Sequence, residues 1–190
     1  MPFPLDDFQR KWIESHFKKR LEWTEDYFLS MLESSRKSDV WRAVVALRDC
    51  GTVKSIPHLK KLLYHTTEDV KCTSILTIAH IAREKETSFY AEALLDPKYR
   101  EKGYAMWAID DAADERAVKA VVDYFNKNKS KLKADKIHAE LIIHGVSYLA
   151  RHFDKSPEIR KTFKMISEYW PSFQLSSKLE VYREYFEKQN

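Results

Sequence analysis

A stretch of this chain repeats after 62 residues without a gap. Ala43 falls on Ala105, Val44 on Met106, Ala46 on Ala108, Leu47 on Ile109, Ile56 on Val118, Leu59 on Val121 and Leu63 on Phe125. Within the first copy, residues 41–51 carry apolar side chains at helical spacing, and Ile56, Leu59, Leu62 and Leu63 form a second stripe. One copy therefore reads as a hairpin of two helices. A weaker copy, Val70 through Leu95, is offset by 30 to 32 residues. The structural unit is then about half of 62, and three units stand in tandem over 39–125. A single hairpin cannot bury both of its apolar faces, so neighbouring hairpins must cover them. Small residues (Ala43, Ala46, Ala105, Ala108) allow close approach within a unit, while Leu47 and Ile109 fill the space between units.

The flanks extend the same grammar. Leu5, Phe8, Trp12, Ile13, Phe17 and Leu21 predict an amphipathic helix over 5–21. Thr24 before Glu25 and Asp26 caps a second helix that ends near 34–37, and Ser38-Asp39 caps a third. Beyond the repeats, Ile137, Leu141, Ile142, Val146, Leu149 and Phe153 mark a helix. Ser156-Pro157-Glu158 starts another that must end before Pro171, and a last helix is expected over about 176–187. The expectation is one all-α domain over 1–190, about ten helices and no sheet. Its parts are capping helices at 1–38, repeats at 39–125, a Lys-rich loop at 126–136, and a final repeat with caps at 137–190.

The phrases RAVVALRDCGTVKSIPHLKKLL at 42–63 and AMWAIDDAADERAVKAVVDYF at 105–125 resemble the HEAT family in its short, phycobilisome-lyase-like form. That resemblance implies a right-handed α-solenoid of HEAT-like hairpins. It implies a fold rather than an activity.

Composition removes several classes of function. With only 3 glycines, a Gly-rich phosphate cradle has no material, and no cofactor is expected. Cys50 and Cys72 lie inside helical patterns with no metal-type spacing, which suits a reducing compartment. The sequence from Met1 to Asp7 lacks a basic region followed by an apolar core, and no apolar run reaches membrane-spanning length. A cytoplasmic protein is expected. Seven histidines include no HExxH or Cys/His knuckle, so neither a metal nor a catalytic residue is assigned. Glu140 and His144, four apart on one helical face, read as a surface pair.

The net charge of +4 is local. Lys127, Lys129, Lys131, Lys133 and Lys136 face a single acid, Asp135, across 126–136, and the remaining chain is neutral. Such a run is expected as a solvated loop rather than a nucleic-acid surface.

The informative cluster lies in the third unit. Alignment with the first unit places residues 105, 106, 108, 109 and 112 inward and leaves Tyr104, Trp107, Asp110, Asp111 and Asp114 for other surfaces. Tyr104, Trp107 and Asp111 share one helical stripe. Aromatics beside carboxylates suit a protein partner with a basic surface. In the competing reading, Trp107 packs against the next unit and Asp110 and Asp111 form a solvated helix end. Trp41 and Arg42 carry the same ambiguity one face earlier. The expectation is a non-catalytic binding protein, a small inhibitor such as a bacterial toxin-neutralising immunity protein, or an adaptor. The alternative is a HEAT-like DNA glycosylase acting on alkylated bases. Trp107 and Asp111 are similar to that family's Trp and Asp, but 141–149 holds no Arg where its partner would stand. A bilin lyase subunit shares the repeat type but finds no residue here for its chemistry.

Overall fold

The computed structural model describes residues 23–187, together with Lys11 and Ser15. The helix expected over 5–21 lies outside the described residues. Among those described there are helices and connections but no strand. The α-helices are α1 (Glu25–Met31), α2 (Lys37–Cys50), α3 (Ile56–Lys61), α4 (Glu68–Ala82), α5 (Thr87–Leu95) and α6 (Lys102–Ala112). They continue as α7 (Val118–Lys127), α8 (Lys129–Lys133), α9 (Ala139–Arg151), α10 (Pro157–Tyr169) and α11 (Arg183–Glu187). No helix among them is long and apolar enough to cross a membrane.

The 62-residue pattern becomes two rows of helices. In one row α2 packs on α4, α4 on α6, and α6 on α9; in the other α5 packs on α7 and α7 on α10. Val44, Leu47, Leu59, Met106, Ile109, Val121 and Phe125 are all fully buried between the rows. Polar contacts run between units at nearly the repeat spacing. Thr77 donates to the Val44 carbonyl at 3.3 Å, and Tyr148 to the Asp114 carbonyl at 2.5 Å.

Local signals mostly hold. Thr24 accepts from the Tyr27 amide and starts α1; Ser156 accepts from the Glu158 amide at 3.1 Å and starts α10, with Pro157 in its first turn. Three boundaries differ. α2 begins at Lys37, before Ser38, with no side-chain cap, and Asp39 accepts from Ser34 Oγ at 3.3 Å. The Lys-rich segment expected as a loop contains α8, drawn in by Leu132, which is fully buried. The helix expected over 176–187 is a 3-10 stretch, Ser177–Tyr182, followed by the short α11.

Helix α8 ends in a Schellman turn. The Lys136 amide reaches the Lys131 carbonyl at 2.8 Å and the Asp135 amide reaches Leu132 at 3.1 Å. Asp135 takes the left-handed position, φ 54°, that glycine usually fills. Its carboxylate accepts from Trp170 Nε1 at 2.8 Å and Ser172 Oγ at 2.6 Å, which ties the lysine-rich segment to the C-terminal helices.

Candidate functional site

Helix α6 carries the aromatic and acidic stripe, and the fold divides it. Tyr104 and Trp107 stand at the surface, 37% and 45% exposed. Their rings are 6.2 Å apart and 24° from parallel. His144, on α9, lies against Trp107 at 5.3 Å and 10°. Trp107 therefore both touches the next unit and keeps an open edge.

The three aspartates go elsewhere. Asp110, expected on a solvated surface, has a side chain only 15% exposed and turned into the seam between α6 and α9. It bonds to His144 Nδ1 at 2.8 Å and accepts from Arg151 Nη1 at 2.7 Å. Burial alone would raise its pKa, but hydrogen bonds from His144, Arg151 and Ser147, together with the Arg151 charge, outweigh it. The carboxyl is held below its ordinary value. Asp111 pairs with Arg83 on the preceding unit at 3.2 Å. Asp114 caps the turn after α6, accepting from the Arg116 amide at 3.1 Å, and pairs with the Arg116 guanidinium at 2.8 Å. Each aspartate is thus met by an arginine of its own fold. Glu140 and His144 are not a pair: Glu140 binds Lys178 at 2.5 Å, and His144 binds Asp110.

Tyr104 and Trp107 form part of the wall of a groove of about 860 Å³, and Asp110, Asp111 and Asp114 do not. α6 and α9 supply its aromatic side, with His144 and Leu141, while Lys131 and Lys136 come from the Schellman turn of α8 and Arg100 from the approach to α6. Lys102 also lines it, but its ammonium is turned to the Ala93 and Asp96 carbonyls, and burial holds its pKa below the ordinary lysine value. Sequence reasoning did not single out Arg100, and it read His144 as a surface partner of Glu140 and Lys131 and Lys136 as part of a solvated run. Of these, His144 carried a signal, since it stands 34 residues beyond Asp110, about one unit along.

Trp41 is 42% exposed and donates its Nε1–H to Thr73 Oγ1 at 3.2 Å, one unit along. Arg42 lines a separate groove of about 680 Å³ with Trp23, Tyr27 and Met31.

One cluster among the described residues has metal-ligand character: Glu68, Cys72 and Glu101 bring donor atoms within 4.8 Å of one another. A cation already sits there, because Lys71 Nζ is 3.0 Å from Glu101. Burial pushes the Cys72 thiol up to about 12, so it stays protonated and is a poor ligand as the chain stands.

No family model matches the chain, and no curated protein matches it.

Proposed function

We propose that the chain is a non-catalytic protein-binding module whose partner docks over Tyr104 and Trp107. The observation that carries this reading is the pair of large rings left exposed on a helix whose opposite face, Ala105, Met106, Ala108 and Ile109, is fully buried. Exposed Tyr and Trp on a rigid support are the residue types that anchor interfaces, since they bury much area and lose little side-chain entropy. The support is braced here because Asp110 on α6 bonds to His144 and Arg151 on α9, and His144 stacks on Trp107.

In this reading the two rows of helices are a right-handed α-solenoid of HEAT-like hairpins. The 62-residue repeat and the serial packing of α2, α4, α6 and α9 support that. Small size and a groove walled by exposed aromatic rings suit an inhibitor that covers a partner's working surface, as a bacterial toxin-neutralising immunity protein does, or an adaptor. The glycosylase alternative gains nothing from the geometry, because Asp111 is paired with Arg83 and does not line the groove with Trp107.

The test is site-directed photo-crosslinking in the source cell, with p-benzoylphenylalanine at position 104 or at the solvated position 119 on α7. A specific protein adduct is expected at 104 and not at 119, and Trp107→Ala should remove it while the variant still unfolds cooperatively, with a melt lowered only by the loss of the His144 stack. Equal adduct at both positions, or none at 104, overturns the reading. For the inhibitor subclass, the captured protein is an enzyme whose activity falls when the chain is added.

A further inference from the structure

The charges around the groove bear on what a partner could be, and the inference from them rests on the binding reading above. Of its carboxylates, Glu101 is paired with Lys71 and Glu140 with Lys178. Glu68 has no ion pair among the described residues. Of its cations, Lys102 is bonded to backbone carbonyls. Arg100, Lys131 and Lys136 are exposed and make no ion pair among the described residues. Three unpaired cations therefore stand against one unpaired carboxylate. The aspartates that were to attract a basic partner are already neutralised by Arg151, Arg83 and Arg116.

The backbone that carries Lys131 and Lys136 is also held in place. Leu132 is buried beneath α8, the Schellman turn sets the chain between Lys131 and Lys136, and Asp135 is fastened by Trp170 and Ser172. A positive rim beside an exposed aromatic edge is complementary to a segment that is acidic and carries an apolar anchor.

We propose that the groove between α6, α8 and α9 receives an acidic polypeptide segment, with a branched or aromatic side chain against Trp107 and carboxylates reaching Arg100, Lys131 and Lys136. A polypeptide fits better than single-stranded nucleic acid for two reasons. Base stacking needs an open ring face, and part of the Trp107 face is covered by the parallel rings of Tyr104 and His144. Phosphate tracking needs an unbroken positive path, whereas the same wall carries the unpaired carboxylate of Glu68.

The experiment pans a random dodecapeptide library on the full chain and measures the enriched peptides by fluorescence anisotropy, with the oligonucleotide dT20 as a competing probe. Acidic peptides with one aromatic or branched residue should be enriched. The K131E/K136E double variant should weaken them at least tenfold, mostly through slower association, and flatten the salt dependence. R100E should weaken them independently. Because all three side chains are exposed, the melts should stay unchanged. Enrichment of basic or neutral peptides, no enrichment, or affinity indifferent to K131E/K136E overturns the proposal. So does dT20 binding more tightly than any peptide with loss in K131E/K136E, which assigns the groove to nucleic acid. A protein adduct at position 104 whose yield ignores K131E/K136E removes this inference and leaves the binding reading standing.

Discussion

Thr52 and Asp114, 62 residues apart, make the same bond. Thr52 Oγ1 accepts from the Lys54 amide at 3.2 Å, and Asp114 Oδ1 accepts from the Arg116 amide at 3.1 Å. Each side chain opens the 3-10 turn that joins the two helices of a unit, Val53–Ser55 in one and Glu115–Ala117 in the other. The sequence repeat thus reaches into the turn, where its apolar residues give no hint of it.

Removing either cap should cost about 0.5–2 kcal/mol. Thr52→Ala should fall toward the upper end, because Thr52 Oγ1 also donates to Glu25 at 3.0 Å and ties α1 to the turn. Asp114→Asn keeps the acceptor and should recover much of the loss seen in Asp114→Ala. Urea unfolding of the three variants checks this.

Asp110→Ala should destabilise by about 1.5–3 kcal/mol, the range for hydrogen bonds to a charged group. The pH dependence has a definite sign. Because the folded carboxyl sits below its ordinary value, the unfolded chain binds the proton more readily. The contribution is complete above the ordinary aspartate pKa and disappears as pH falls below about 4 through the folded value. Asp110→Asn should therefore flatten that part of the acid limb in melts taken from pH 6 downward. An unchanged limb would show that His144 and Arg151 do not hold the charge.

Two glycines should respond in opposite directions to alanine. A Cβ at Gly145 would lie 2.6 Å from Phe125 Cζ and 2.7 Å from Cε2, with the Phe125 ring fully buried. Overpacking of about 1–3 kcal/mol exceeds the helix-propensity gain of at most about 1 kcal/mol, so Gly145→Ala should lose stability. At Gly103 nothing lies within 4 Å of the same atom, and Gly103→Ala should gain about 0.4–1 kcal/mol. Thermal melts read both.

The two thiols should label in a fixed order. Burial raises both pKa values, that of Cys72 to about 12, and Cys72 is closed from solvent while Cys50 is partly open. With iodoacetamide at pH 8, Cys50 should be modified first and Cys72 only on unfolding, as timed mass spectrometry would show.

The sequence by itself determined that the described chain is helical and which residues of the 62-residue pattern form its core. Ala43 and Ala105, Leu47 and Ile109, and Leu63 and Phe125 are buried as their spacing requires, because helical periodicity and the need to cover each apolar face are local constraints. It also placed the caps Thr24 and Ser156, whose hydrogen bonds close within three residues. Tertiary structure alone decided what the polar residues of α6 do. Asp110 and Asp111 look alike in sequence, one residue apart, yet one is drawn into the seam by His144 and Arg151 and the other pairs outward with Arg83. Their partners lie 28 to 41 residues away. The angle of successive side chains around a helix, about 100° apart, sends each to a different neighbour, and only packing fixes which neighbour is there. The groove arises in the same way, since Leu132 folds the lysine run onto the core and so brings Lys131 and Lys136 to the wall that Tyr104 and Trp107 share.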